Sequence, residues 1–256
     1  MGKLLFFDVD GTLYDSDKKL PATAKEALLA ARSNGYEIAI ATGRAPFMIQ
    51  SLLEELEIDT YVTFNGQYVV YKGEVIFTDG IPKDQLEDII SFGEQRNHPV
   101  VFLDDKKMVA AIGEDFRIAE SLATLRYPYP EIEANYYMHQ PVYQTLLYIT
   151  QKEQAMYEEA FPTVEFVRWH PYSCDMLPKG GSKARGIQKV LEHCHYEMKD
   201  VMAFGDGLND IEMLQTVGVG VAMGNAHERV KTVADVVVGH VDEDGLAQGL
   251  KRLGII

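Results

Sequence analysis

Cysteine is nearly absent. Cys174 and Cys194 are the only two in 256 residues, and no C-x-x-C spacing joins them, so neither a disulfide framework nor a structural zinc site organises the fold. Long apolar runs are also missing: no stretch approaches the ~20 residues that a membrane helix needs. The N-terminus has one lysine and only four apolar residues before its first aspartate, which is not the layout of a secretory signal. The expectation is a cytoplasmic protein. Positive charge is scarce: 24 Lys and Arg stand against 39 Asp and Glu, a formal net charge of −15. A nucleic-acid backbone or an anionic membrane surface is therefore a poor partner. Small anionic substrates stay open, because a bound divalent cation can reverse the field locally. The composition, 46% hydrophobic and 25% charged, is that of an ordinary globular protein.

What is present is alternation. Residues 3–8 predict a buried strand, 21–34 a helix stopped by Gly35, 36–41 a second strand, 45–56 a helix and 61–64 a third strand. Strands and helices at this spacing imply parallel βαβ units. Y-V-V-Y-K-G-E-V-I-F at 68–77 predicts a hairpin turning at Lys-Gly. A helix at 82–97 and a strand at 100–103 follow, and between 127 and 172 proline and aromatic residues crowd out clear periodicity. Alternation resumes near Gly180 and continues to a closing helix near Asp244. The predicted fold class is α/β: a doubly wound, mostly parallel, Rossmann-like sheet formed by 1–80 and 180–256. An α+β domain of residues 81–179 is inserted in it, a normal domain size.

Two carboxylates, Asp8 and Asp10, end the first apolar run, L-L-F-F-D-V-D-G-T. In extended chain i and i+2 point the same way, and open parallel sheets place sites beyond the carboxyl ends of their strands. A calcium loop fails on spacing, since Thr12, Leu13 and Lys19 stand where it needs an acid or Asn, a Gly and a Glu. The design recurs in V-M-A-F-G-D-G-L-N-D, where Asp206, Asn209 and Asp210 follow another strand. Acids converging from two strand ends suit Mg²⁺ with retained waters. Thr42-Gly43, after I-A-I-A, adds a hydroxyl and backbone N–H groups suited to an anion. Lys183 opens the helix after Gly180-Gly181-Ser182; a cation in a first helical turn opposes the dipole, so it answers a negative charge nearby.

Together D-V-D-G-T at 8–12, I-A-T-G-R at 40–44, Lys183 in P-K-G-G-S-K and G-D-G-L-N-D at 205–210 resemble the haloacid dehalogenase-like hydrolases. The order, the spacing and the size of the insertion are similar to the Cof-like branch, phosphatases with a large α+β cap. The resemblance implies that Asp8 attacks the phosphorus of a phosphomonoester to give an aspartyl-phosphate, and that Asp10 serves as acid and then base. It implies Mg²⁺ held by Asp8, the Asp10 carbonyl and Asp206, with Asp210 orienting metal-bound water. Thr42, Gly43, Lys183 and Asn209 then bind the phosphoryl group. The implied partner is a small phosphorylated metabolite such as a sugar phosphate or a nucleotide, with no nucleic acid and no membrane. A sugar phosphomutase of the same superfamily and a non-catalytic phospho-ligand sensor are the alternatives.

Residues 127–172 carry Tyr127, Tyr129, Tyr136, Tyr137, Tyr143, Tyr148, Trp169 and Tyr172. A stacking surface for substrate and a core of aromatic strands both fit them, and the core is preferred. Arg44, Arg126, Arg168 and His170 could meet a second anionic group. V-G-V-G-V-A-M-G at 217–224 has its glycines inside the apolar run, so close packing explains it better than a dinucleotide fingerprint. His193 and His195 do not share a helix face and make no metal pair.

Overall fold

A computed structural model of the chain describes residues 4–256; Lys3, at the start of the strand predicted for 3–8, lies outside them. The chain divides into two compact units, one of residues up to 44, 48–77 and 182–256, the other of residues 78–181 with 45–47. Along the first part of the chain come β1 (Leu4–Phe7), α1 (Ala22–Ser33), β2 (Glu37–Ala41), α2 (Pro46–Leu56), β3 (Tyr61–Thr63), β4 (Tyr68–Tyr71) and β5 (Glu74–Thr78). The middle holds α3 (Lys83–Glu94), β6 (Val100–Leu103), β7 (Met108–Ala110), α4 (Phe116–Thr124), β8 (Glu131–Ile132), β9 (Gln144–Leu147), α5 (Gln151–Ala160), β10 (Val164–His170) and β11 (Ser173–Pro178). The last part runs α6 (Lys183–Leu191), β12 (Val201–Gly205), α7 (Ile211–Thr216), β13 (Val219–Ala222), α8 (Glu228–Val233), β14 (Val236–Val237) and α9 (Gly245–Arg252).

The first sheet has the order β14-β13-β12-β1-β2-β3-β4-β5. It is parallel from β14 to β3 and turns antiparallel at β4. The hairpin turns through Lys72 and Gly73, both with positive φ (50° and 79°), the backbone that matches strand twist in a tight turn. The central strand β1 explains its own composition. Leu5 and Phe7 pack into a core with α1, α2 and α9 on one face. Leu4 and Phe6 pack with α6, α7 and α8 on the other. A strand covered on both faces is apolar at every position rather than at alternate ones. Phe7 also stacks on Phe204 of β12, with ring centroids 4.7 Å apart. Gly220 of β13 sits where a side chain would run into the Leu214 carbonyl of α7, so close packing accounts for that glycine.

The second unit is a sheet in the order β10-β11-β9-β6-β7-β8, antiparallel apart from the β7–β8 pair. One face carries Val100, Phe102, Leu147, Cys174 and Met176, packed with Leu86 and Ile89 of α3 and Tyr157 of α5. Tyr136 and Tyr137 belong to this core, which bears out the packing role for those two. Tyr148 is fully buried on the other face of the sheet. Helix α4 and strands β7 to β9 have no clear signal in the sequence. They are two to nine residues long, too short for a periodic pattern to emerge.

Asp175 of β11 faces away from that core. Burial pushes its carboxyl up to about 7, and Trp169 and Gln144 offset only part of that cost. Its folded-state value lies above the unfolded one. Its stabilising contribution is therefore complete below the unfolded value of 3.8 and is lost as pH rises through about 7. Asp175→Asn removes this dependence. Thermal unfolding should show the variant gaining on the wild type by several degrees between roughly pH 4.5 and 7.5, and an equal difference at both ends would refute the assignment.

Candidate active site

Register places the first acids. Phe7 pairs with Ile40 of β2 and Phe204 of β12, so Asp8 leaves the sheet level with Ala41 and Gly205. Thr42 and Asp206 each come one residue later. Asp8 is tied down by its own N–H, which donates to the Phe204 carbonyl (2.9 Å). Thr42 is tied likewise, donating to Val62 O (2.9 Å). Three strand ends from opposite parts of the chain thus meet at the central strand, where chain order reverses on the two sides. Gly11, at φ +79°, turns beneath Asp206, and a Cβ there would collide with that carboxylate.

Lys183 reaches this point from the first turn of α6, whose N-cap is Ser182, accepting from Arg185 N–H (3.1 Å). Its side chain is fully buried. Nζ donates to Asp8 Oδ1 (2.5 Å) and to Asp210 Oδ1 (2.6 Å). The misplaced cation of the sequence is answered by two acids. Asp210 is itself completely buried, and its Oδ2 accepts from the N–H groups of Asp206 (2.9 Å) and Gly207 (2.8 Å).

The charges do not balance. Asp8, Asp206 and Asp210 place carboxylate oxygens within 4.8 Å of one another, with one lysine among them. Burial pushes Asp8 up to about 8; Lys183 opposes the shift, and repulsion from Asp210 and Asp206 adds to it. Asp206 rises to about 6, from burial and from Asp210. Burial opposes the charge of Lys183, but Asp210 and Asp8 outweigh it and hold the ammonium above its usual value.

Asp10 is treated differently. Arg44 grips it with two bonds, Nε to Oδ2 (2.6 Å) and Nη2 to Oδ1 (2.7 Å), and Lys18 adds a third to Oδ1 (2.8 Å). Burial would raise its carboxyl, yet Arg44 and Lys18 hold it below the ordinary value. Arg44 therefore answers an acid of its own chain. Arg168 and His170 are engaged locally as well: Arg168 donates to Gln154 Oε1 and Ile149 O, and His170 contacts Ser121 Oγ. Thr42 Oγ1 accepts from Arg44 N–H (3.1 Å), which makes it the cap of the turn after β2 rather than of α2. Asn209 donates from Nδ2 to Asn65 Oδ1 (3.0 Å).

Four residues of this neighbourhood take site partners that the sequence alone does not assign. Thr12 donates to Asp206 Oδ1 (3.1 Å), Asn225 holds the Gly11 carbonyl (2.8 Å), and Arg44 and Asn65 act as described. The run D-G-T and the stretch A-M-G-N-A contain Thr12 and Asn225, but their partners are set by folding. A separate cavity of about 370 Å³ in the second unit includes none of the predicted site residues. Of its lining residues, Arg117 pairs with Asp115, and His98 pairs with Tyr157 and Glu153.

Residues 5–250 match the family of haloacid dehalogenase-like hydrolases. The chain belongs to that family. Over 254 residues it is 41% identical to YkrA of Bacillus subtilis, provisionally named a phosphatase, covering 99% of this chain and 98% of that one. A solved Geobacillus kaustophilus protein of unassigned function is 46% identical, with a TM-score of 0.97 and full coverage of both chains. The structure described as the subclass IIB sugar phosphatase BT4131 is 34% identical, with a TM-score of 0.84, covering 99% of this chain and all of that one. This haloacid dehalogenase-like protein is thus a hydrolase of phosphate esters of the Cof-like branch.

The donors fit a divalent cation. They are all oxygens, as hard cations require, and the excess of buried negative charge needs a positive partner that Lys183 alone does not supply. Among the described residues Asp8, Asp206 and Asp210 are the one such group. Removing the lysine tests the balance. Lys183→Met leaves two buried acids without their partner, and the expected loss in urea unfolding near neutral pH is about 3–5 kcal/mol. Acidification should shrink the loss as the carboxyls take up protons instead. A loss of less than about 1 kcal/mol would mean that solvent already screens the triad.

Proposed function

We propose that this protein is a Mg²⁺-dependent phosphatase acting on phosphomonoesters of small metabolites, sugar phosphates foremost, through an aspartyl-phosphate on Asp8. The observation that carries the reading is the Lys183 bridge. It occupies Asp8 Oδ1, while Asp8 Oδ2 has no hydrogen-bond donor among the described residues, so one oxygen is held and the other is directed at substrate. The sugar phosphatase BT4131, similar over nearly the whole chain, supports the substrate class. The acidity of the chain supports a small-molecule substrate rather than nucleic acid or membrane, and cytoplasmic residence belongs to the same reading.

Asp8 Oδ2 attacks phosphorus in line with the ester oxygen; the new P–O bond forms as the bond to the leaving group breaks. Asp10, protonated for this half of the cycle, gives its proton to the departing oxygen. In the second half ionised Asp10 removes a proton from the water that attacks the aspartyl-phosphate, releasing phosphate and restoring Asp8. The Arg44 clasp favours the ionised form and so the second half. Lys183, Thr42, Gly43 and Asn209 hold phosphoryl oxygens. Mg²⁺ would be held by Asp8, the Asp10 carbonyl and Asp206, and when bound supplies positive charge against the phosphoryl group. Asp210, with both oxygens already engaged by Lys183 and backbone N–H groups, is suited to orienting the loop and metal-bound water.

A panel of sugar phosphates, nucleoside monophosphates and p-nitrophenyl phosphate should release inorganic phosphate with Mg²⁺ and none after chelation. Isomerised sugar phosphate without free phosphate would point to the mutase instead. Asp8→Asn should lower turnover at least about a thousandfold. Its Tm should hold or rise, because an amide replaces a carboxyl whose charge burial disfavours. Asp10→Asn should slow alkyl phosphates by about a hundredfold or more. It should slow p-nitrophenyl phosphate far less in the first half-reaction, since that leaving group needs no proton. A burst of p-nitrophenol reads this step, and its absence in the variant would refute the acid role.

A further inference from the structure

Between β3 and β4 the backbone takes three consecutive positive φ angles, Phe64 at 50°, Asn65 at 51° and Gly66 at 95°. Glycine adopts this region freely and asparagine with little penalty, but a bulky aromatic does not. Such a run persists only where its surroundings impose it. Here they do. Phe64 is fully buried, and its N–H donates to the Arg44 carbonyl (3.0 Å). Asn65 N–H donates to the Thr42 carbonyl (3.1 Å). A Cβ on Gly66 would run into the Ser182 carbonyl. The bend is therefore fastened to the turn holding Thr42 and Gly43, and packed on the cap that precedes Lys183.

The bend aims one side chain. Asn65 Oδ1 accepts from Asn209 Nδ2 (3.0 Å), joining the bend after β3 to the loop after β12. Its Nδ2 lies beside Gly43, 3.0 Å from where a Cβ at that position would stand. That amide nitrogen donates to no group among the described residues. A pair of N–H donors thus stands unused next to a bare stretch of backbone. We propose that Asn65 is a phosphate-binding residue: Nδ2 donates to a phosphoryl oxygen lodged at Gly43, while Oδ1 fixes the Asn209 amide for the same anion. This rests on the reading of Thr42, Gly43 and Asn209 as the phosphate pocket. A neutral amide suits the position because Arg44 and Lys183, the nearby cations, are held by acids.

Two substitutions separate ligand binding from turn geometry. Asn65→Gly keeps the left-handed backbone and removes the amide; Asn65→Asp keeps the acceptor for Asn209 and puts an oxygen in place of Nδ2. The probe is inorganic phosphate with Mg²⁺, read by calorimetry and as inhibition of p-nitrophenyl phosphate hydrolysis, alongside thermal unfolding. The glycine variant should melt like the wild type and bind phosphate about tenfold more weakly, the loss of one hydrogen bond to a charged acceptor. The aspartate variant should bind more weakly still, through like-charge repulsion. Phosphate affinity within twofold of wild type in the glycine variant overturns the proposal. So does wild-type affinity in the aspartate variant, which would leave Asn65 as a turn residue, and so does a wild type that binds no phosphate. Calorimetry does not depend on turnover. A wild type that binds phosphate but hydrolyses no ester defeats the phosphatase reading alone, and the Asn65 comparison still stands.

Discussion

One buried ammonium holds the centre of this protein together. Lys183 Nζ lies between Asp8 and Asp210, with its side chain out of contact with water, and these three residues come from the end of β1, the start of α6 and the loop after β12. Neither the lysine nor either acid could be buried alone, since an isolated charge in a protein interior is far too costly. Their mutual pairing makes the burial tolerable, and it ties the N-terminal and C-terminal parts of the chain at one point. The insertion of some hundred residues between β5 and α6 leaves that pairing intact, because the helix carrying Lys183 packs through Ile187, Val190 and Leu191 on the same face as Leu4 and Phe6 of β1.

Around this centre two acids only two residues apart receive opposite treatment. Asp8 is enclosed by burial and by other carboxylates, which push it up to about 8. Asp10 is clasped by Arg44 and Lys18, which hold it down. Such environments drive the protonation preferences of neighbouring carboxyls apart. The division needs little beyond geometry: Asp8 continues a strand buried on both faces, whereas Asp10 lies past it, half-exposed, beside the turn after β2. The rigidity of β1 matters for the same reason. A carboxylate held at the end of a packed strand keeps its position without further ordering.

The linear chain carried most of this fold and nearly all of the proposed site. Parallel alternation, the L-L-F-F run and the repeated strand–Asp design are local patterns, readable because a doubly covered strand must be apolar throughout and because strand ends are where open sheets place polar groups. The aromatic stretch was legible only in part. Its strands are short, both faces of its sheet are largely apolar, and no period distinguishes Tyr136 in the core from Tyr148 on the opposite face. Arg44 looked like a cation awaiting substrate, and the fold gave it to Asp10 instead.

By itself the sequence determined which residues could do chemistry and which segment each would occupy, since residue type, spacing and strand period are properties of the chain alone. Tertiary structure alone decided the partnerships. Lys183 meets both Asp8 and Asp210, Asn209 meets Asn65, and Thr12 meets Asp206. Each of those bonds except Lys183–Asp210 joins positions more than a hundred residues apart. No local preference can encode such a contact, and the left-handed run at Phe64 to Gly66 contradicts the preference of its first residue. The packed sheet brings these groups within reach, and the cost of leaving a buried charge unpaired does the rest.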